Sequence, residues 1–315
     1  MKLVTITGCL GFIGSHVTRE CLSLGWKVYG VDSQTYASNP CLLEEFDTEN
    51  FTYINEDIAD LNYLPDCDYV INTAAETHVG NSIIDSKAFL RSNINGVQNL
   101  LDLIKAKPGN VVDRPVFFQF STDEVYGDIV DGEHTEDDHL NPSNPYSASK
   151  AAADMLIKAW ARTYGIEYII FRPTNNYGIY QYPEKLIPLS VKLLQRDKKI
   201  KLHDEGLPIR NWLHAEDTAN AVVSIINSGK TNEIYNVAGG FEQENRETVE
   251  KTIQAFHGTN ENWQQYVDLG FKREGQDVRY ALNDDKLRSL GWEPQKEFNE
   301  EIEKVVQFYI DNFKW

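Results

Sequence analysis

The chain has 315 residues, 41% of them hydrophobic and 11% aromatic, with 30 Lys and Arg against 48 Asp and Glu for a formal net charge of −18. That length can bury a large core and suits one large domain or two smaller ones. The acidic balance argues against nucleic acid or an anionic membrane as partner, and no apolar run reaches the length of a membrane span.

Residues 2–7 read as an apolar strand running into glycines, followed by a helical pattern from Ile13 to Leu24. Ile6-Thr7-Gly8-Cys9 also resembles a lipoprotein cleavage box, but the apolar stretch before Cys9 is far shorter than a signal core. A strand entering a glycine loop accounts for the same residues. Between that strand and helix, Thr7 to Gly14 reads G-x-x-G-x-x-G. Glycines there let the backbone turn tightly and approach a pyrophosphate at the helix N-terminus, which makes Gly8, Gly11, Phe12, Ile13 and Gly14 candidate dinucleotide contacts.

Lys27–Val31 is a second strand ending in Asp32, 18 residues after Gly14. A carboxylate at that point accepts both adenosine ribose hydroxyls and repels a 2′-phosphate, and Ser33-Gln34 brings no Arg to hold one, so NAD is expected rather than NADP. Cys9, Cys21, Cys41 and Cys67 have no C-x-x-C spacing; reduced thiols and no metal site are expected. After the strand Phe51–Ile54, Asp57 and Ile58 are placed to hold an adenine amino group and cover its ring, although Asp57 reads equally well as a helix cap. After the strand Tyr69–Asn72, Ala74 and Ala75 keep the wall thin where a cofactor passes.

A helical period covers Phe89–Lys105, and the strand Val116–Phe120 opens into Ser121-Thr122-Asp123-Glu124. The acidic segment Asp131–Asp138 reads as a solvated loop. Asn144-Pro145 starts a helix, with a capping side chain and then Pro at the first helical position. Tyr146 and Lys150 follow at i, i+4 on one face. An ammonium beside a phenol, whose free pKa is about 10, favours the phenolate. Alone, such a pair is a common surface motif; with the glycine loop and Thr122 to orient a substrate hydroxyl, it reads as a redox base. Two carboxylates beside that hydroxyl could be loop or capping acids. As catalysts, Asp123 and Glu124 add an acid and a second base that a simple dehydrogenase does not need.

Glu167–Phe171 is a further strand, and beyond Arg172-Pro173 the chain becomes rich in Pro and Tyr through Pro188. Ala215–Ser228 returns to a strong helix and Glu233–Val237 to a strand. Alternating strands and helices predict an α/β fold, a doubly wound parallel sheet with its ligand site at the carboxyl ends of the strands. The division expected is a dinucleotide domain of 1–172 and 215–237, with a smaller mixed α/β substrate domain of 173–214 and 238–315.

On Gly11–Ser15, Asp32 with Thr35-Tyr36-Ala37, Ala74–Val79, Ser121–Gly127, Tyr146–Lys150, Asn175–Gly178, Pro183–Pro188, Arg210–Leu213 and Gly275–Leu282, the chain resembles the dTDP-glucose 4,6-dehydratases over almost its whole length. They belong to the extended short-chain dehydrogenase/reductase family. Epimerases and decarboxylases of that family share the glycine loop and the Tyr/Lys pair and usually lack the adjacent Asp-Glu.

The resemblance implies a Rossmann-type domain, a retained NAD and a nucleotide-diphosphate sugar as substrate. Tyr146 would deprotonate the glucose C4 hydroxyl as hydride leaves C4, Glu124 would remove the C5 proton, and Asp123 would protonate the departing C6 hydroxyl before hydride returns to C6. It further implies Thr77 at the sugar and cofactor, Ser92 and Asn176 on the cofactor side together with Tyr146 and Lys150, and Asn175 at the phosphate end. Lys185 and Leu186 would run along the nucleotide, with Arg210, Asn245, Arg279 and Tyr280 at the diphosphate and nucleoside. A cytoplasmic homodimer joined through Phe89–Lys105 and Tyr146–Tyr164 is also implied.

The chain departs from the family at Gly80-Asn81 (usually Asp-Arg), Ser33-Gln34 (usually Lys-Leu), Glu274 (usually Pro) and Gln276 (usually His). None of these is a proton- or hydride-transferring group, and the nucleotide and the sugar stay open. A UDP- or GDP-sugar 4,6-dehydratase, or a 4-epimerase, is therefore the alternative. A non-catalytic NAD-binding regulator is a further one, though such proteins commonly lose the Tyr or Lys kept here.

Overall fold

Apolar runs hidden on both faces build the centre of the main sheet. Val116–Phe120 is buried at every position, as a parallel strand covered by helices on both sides must be. The computed structural model describes residues 1–46, 48–110, 113–259, 261–272 and 277–312. In chain order its strands are β1 (Leu3–Thr7), β2 (Lys27–Asp32), β3 (Phe51–Asn55), β4 (Tyr69–Asn72), β5 (Val116–Phe120), β6 (Tyr168–Pro173), β7 (Asn175–Tyr177), β8 (Ile200–His203), β9 (Ile209–His214), β10 (Glu233–Val237), β11 (Phe241–Glu244) and β12 (Val267–Phe271). Seven form one sheet in the order β3-β2-β1-β4-β5-β6-β10, every pair parallel.

The chain winds outward from β1 through β2 to β3, then returns to the other side of β1 with β4. The strand order thus reverses between β1 and β4, where a crevice opens at the carboxyl ends. A buried polar ladder crosses the sheet at that level: Thr7 Oγ1 donates to Asn72 Oδ1 at 2.5 Å, and Asn72 Nδ2 to Gln119 Oε1 at 2.8 Å.

On one face of the sheet, Val17 and Cys21 of the helix Phe12–Ser23 pack with Val222 and Ile225 of the helix Ala215–Ser228. On the other, Leu100 and Ile104 of Val97–Lys105 pack with Ala153 and Ile157 of Pro145–Tyr164. The helix expected over Phe89–Lys105 is α-helical only at its ends, Lys87–Leu90 and Val97–Lys105, with a π-helical turn Arg91–Gly96 between them. Such turns recur at functional sites, and this one turns the buried Asn93 inward.

The rest of the chain carries the mixed sheet β11-β9-β7 and the pair β12-β8. A separate core there unites Tyr177, Trp212, Phe298, Ile302 and Val305. Leu287 and Trp292, which the sequence reading assigns to the smaller domain, pack into the first core instead; the Trp292 indole donates to the Asp217 carbonyl at 3.2 Å.

The last helix, Phe298–Asp311, reaches back to the crevice. The buried Tyr309 hydroxyl accepts from the Gln181 N–H at 2.7 Å and donates to the Gly178 carbonyl at 2.9 Å, pinning a segment that lines the site. Tyr309→Phe should cost about 1–3 kcal/mol, the price of leaving a buried N–H and a carbonyl without that hydroxyl. Urea denaturation checks this.

Candidate active site

The turn after β1 is built on close backbone approach. A Cβ on Gly14 would lie 2.0 Å from the Gly8 carbonyl oxygen, and one on Gly8 would lie 2.8 Å from the Ala74 backbone. Gly8 also holds φ at +71°, where side chains are strained. The following helix starts at Gly11 with no side-chain cap and no acid in its first turn. Its leading N–H groups are thus left to face an anion.

Asp32, at the end of β2, accepts from the Leu10 N–H at 3.0 Å, the Gln34 N–H at 2.8 Å and the Ser38 hydroxyl at 2.7 Å. One carboxylate therefore fixes both the glycine turn and the loop after β2. Asp57 accepts from the Ala59 N–H at 2.8 Å and pairs with Arg91 at 3.2 Å, so it terminates a turn and also faces the groove. Gly8, Gly11, Phe12, Ile13, Gly14, Asp32, Asp57, Ile58, Ala74, Ala75, Thr77 and Ser92 all line this one groove, whereas Tyr146, Lys150 and Asn176 do not. Its empty volume is ≈ 1060 Å³.

The catalytic candidates gather on the turn after β5 and the helix Pro145–Tyr164, and the lining of the first groove does not include Thr122, Asp123, Glu124, Tyr146 or Lys150. Asn144 caps the helix Pro145–Tyr164 by accepting from the Ser147 N–H at 3.0 Å, its own N–H donates in return to Ser147 Oγ at 3.2 Å, and Gly165 ends the helix in the left-handed conformation. Tyr146, Lys150, Thr122 and Asp123 are 7%, 4%, 7% and 4% exposed. Thr122 Oγ1 donates to Asp123 Oδ1 at 3.0 Å and also hydrogen-bonds the Tyr146 phenol. Asp123 Oδ2 is buried with no partner among the described residues.

Environment separates the two acids. Burial pushes Asp123 up to about 7, with the charge of Glu124 adding to it. Burial also raises Glu124, but Arg210, a hydrogen bond from Asn144 (3.3 Å) and Lys185 favour its carboxylate form. Titratable neighbours pushed apart in this way take acid and base roles respectively. Burial brings Lys150 down to about 8, opposed by the charge of Asp154. Tyr146 differs from the expectation of a lowered phenol: burial, Glu124 and Asp123 push it well above its usual range, and the Thr122 bond is the influence acting the other way.

A second groove, with an empty volume of ≈ 1280 Å³, continues the first through shared Thr77, Gln181, Glu184 and Lys185. Glu124, Asn175, Asn176, Leu186, Arg210, Asn245 and Tyr280 line it. Lys185 Nζ donates to the Thr77 carbonyl at 3.0 Å, bridging the two walls. Asn175 Oδ1 is buried without a partner among the described residues. The Arg210 guanidinium lies over the Tyr280 ring at 4.6 Å and donates to the Asp277 carbonyl at 3.1 Å.

Arg279 is placed differently from the expected diphosphate contact. Its guanidinium grips Glu242 with two bonds of 3.0 Å and the Gly132 carbonyl at 2.9 Å, away from the groove-lining residues. In so acidic a chain, an Arg across from a free carboxylate finds its partner there. The departures at Glu274 and Gln276, like the marker Gly275, lie outside the described residues.

Several site residues escape sequence reasoning. Asn93 donates to Ser149 at 2.9 Å and to the Glu76 carbonyl at 3.0 Å, tying the loop after β4 to the Tyr146 helix. Ser82 Oγ accepts from the Tyr146 N–H at 3.2 Å. Asn144 reads only as a cap, yet its amide also holds Glu124. These are lone polar residues without a motif, and only the fold brings them to the site. Asp154 had a signal: it is the third position, after Tyr146 and Lys150, on a spacing of four.

The sequence model of the family described as GDP-mannose 4,6 dehydratase matches residues 5–305. The low-salt glycan biosynthesis protein Agl12 of Haloferax volcanii is 38% identical over 313 residues, covering 98% of this chain and 98% of that protein. The dTDP-glucose 4,6-dehydratase of Neisseria meningitidis serogroup B is 38% identical over 340 residues, covering 100% of this chain and 95% of its own. DesIV, the dTDP-glucose 4,6-dehydratase of Streptomyces venezuelae solved with NAD bound, superposes with a TM-score of 0.92 at 35% identity, over 99% of this chain and 98% of that one. A match that begins within β1 and closes within the last helix leaves no part of the architecture unaccounted for, and the chain belongs to the GDP-mannose 4,6 dehydratase family of nucleotide-sugar dehydratases.

Proposed function

We propose that the chain is an NAD-dependent lyase that converts dTDP-glucose to its 4-keto-6-deoxy product. The observation that carries this reading is the pair Asp123 and Glu124, a buried acid and a half-buried, groove-lining one held in different environments near Tyr146. The first groove fits a dinucleotide: the Gly8–Gly14 approach and the uncapped helix suit a pyrophosphate, and Asp32 suits a ribose. When bound, NAD takes up a hydride from C4 and gives it back at C6.

In this reading Tyr146 removes the C4 hydroxyl proton, while Lys150 supplies the positive charge that offsets the cost of a buried phenolate. Once C4 is a ketone, the C5 proton is acidic and Glu124 takes it. The C6–O bond then breaks, Asp123 gives its proton to the leaving oxygen, and water departs. Glu124 later returns its proton to C5. The proton gained by Tyr146 balances the one given up by Asp123, and its return between turnovers resets both groups. Sugar and product then differ by one water, and every protein group is reset.

Arg210 and Lys185 are assigned to the diphosphate and nucleotide, with Thr77 and Asn175 at the sugar and phosphate. A 4-epimerase would need Tyr146 and Lys150 but no acid pair. Exposed Ile84 (85%), Leu90 (46%) and Met155 (50%) on or beside the helices 87–105 and 145–164 support a homodimer through that face. No helix among the described residues is long and apolar enough to cross a membrane, which agrees with action in the cytoplasm.

Purified protein given dTDP-glucose should form a 4-keto-6-deoxy product lighter by one water, read by mass spectrometry. Product from UDP-glucose alone would move the specificity, and a 4-epimer with no loss of water would replace the reading. Glu124→Gln should lower product formation on the order of 10²–10⁴-fold, while the absorbance that marks C4 oxidation still develops on mixing.

Asp123 also links the site to stability. Its pKa is raised in the fold to about 7, from about 3.9 unfolded. The neutral carboxyl therefore stabilises the protein fully below pH ~4, and this contribution is lost as pH rises through ~7. Asp123→Asn, which cannot ionise, should melt roughly 5 °C above the parent at pH 8 and equal it at pH 4.

A further inference from the structure

Beneath the catalytic groups lies an ion pair with almost no access to solvent: Asp154 is 0% exposed and Arg172 1%. Both the Nε and an Nη of Arg172 donate to Asp154 Oδ2, at 3.1 and 2.9 Å. The Ser121 hydroxyl donates to the same oxygen at 3.1 Å. The other guanidinium arm donates to the Tyr126 hydroxyl at 2.6 Å, which in turn donates to Asn236 at 2.9 Å. Ser121 and Tyr126 flank Thr122-Asp123-Glu124 on either side, so this one pair grips both ends of the segment bearing the acids. Asp154 itself sits one turn beyond Lys150, on the face that carries Tyr146. Its Oδ1 is buried and without a hydrogen-bond partner among the described residues.

We propose that Asp154, held by Arg172, is the positioning residue of this site: it locks the Tyr146/Lys150 helix to both flanks of the acid-bearing turn and sets a fixed negative charge behind the Lys150 ammonium. A buried ion pair is weak evidence for stability, because well-packed apolar residues often hold a fold as well. What those residues could not do is carry charge to Lys150 and hydrogen bonds to Ser121 and Tyr126 at once. The charged and titratable groups around this face are Asp123 and Glu124 on the turn after β5, Tyr126 beyond them, Tyr146 on the same helix, and Tyr168 and Arg172 on β6. Of all these, Asp154 is the group whose charge acts on Lys150, opposing the burial that brings it down to about 8.

The proposal takes its roles for Tyr146 and Lys150 from the function proposed above, so its test has one arm that needs no turnover. In holoprotein carrying [13C]lysine, the Lys150 ε-carbon signal, assigned with Lys150→Arg, reports its titration. Asp154→Asn should move that midpoint to lower pH by about one unit or more. The basic limb of the kcat–pH profile should move with it, and kcat should fall at least tenfold with KM little changed. Asp154→Asn/Arg172→Gln removes both charges without stranding either, so it covers the case in which the single variant fails to fold. It should displace the midpoint in the same direction, by less than the single variant, because loss of the Arg172 charge acts the other way.

An unmoved midpoint in a folded variant overturns the proposal, as does a kcat within twofold of the parent. Lost activity with an unmoved midpoint marks the pair as packing alone and overturns it too. If the parent protein forms no 4-keto sugar, the functional reading fails by itself, and the midpoint still decides the role of Asp154.

Discussion

The Asp154–Arg172 pair is the interaction on which the geometry of the inner site depends. Desolvating two ions costs several kcal/mol each, and only good geometry with further hydrogen bonds offsets it. Here the geometry is complete on one carboxylate oxygen, which receives three donors from two other elements. β5, β6 and the helix Pro145–Tyr164 are thereby fastened to one another at the depth where Thr122 and Tyr146 meet. Breaking the pair from one side would leave a charge in the core, so the three elements move together or not at all.

Above this anchor, electrostatics do what proximity cannot. Asp123 and Glu124 are chain neighbours, the first buried and the second half-buried at the groove, and they differ in what faces them. Asp123 has the Thr122 hydroxyl on one oxygen and no partner on the other, among the described residues, and it sits beside a like charge. Glu124 faces Arg210, Lys185 and the Asn144 amide. In a protein whose 30 Lys and Arg are outnumbered by 48 Asp and Glu, these cations act locally, where they favour one carboxylate over its neighbour. Arg279, which finds an acid elsewhere, shows the commoner fate of an Arg in such a chain.

The two grooves meet where Lys185 and Gln181 face Thr77. Their shared walls come from distant parts of the chain: the loop after β4 and the segment before the helix Leu186–Leu194, which the last helix holds through the Tyr309 hydroxyl. A single continuous trough is the arrangement that lets one sugar carbon after another be presented to a fixed set of groups. Among the described residues no group of three or more His, Cys, Asp and Glu is placed to hold a metal ion.

The sequence by itself determined the elements whose cause is local. β4, β5, β10 and the helix Ala215–Ser228 stand where the periodicity places them, because apolar runs and caps act over a few residues. The glycine turn, Asp32 and the Tyr146/Lys150 spacing were legible for the same reason, since each is a short motif with one mechanical use. Tertiary structure alone decided what depends on residues far apart in the chain. The π-helical turn that delivers Asn93, the return of Leu287 and Trp292 to the first core and the diversion of Arg279 to Glu242 are of this kind. So is the direction in which the Tyr146 phenol is shifted. Spacing places an ammonium one turn away, but the phenol is pushed up by burial and by the carboxylates of the turn after β5, and the degree of burial is a property of the packed molecule rather than of any segment of its chain.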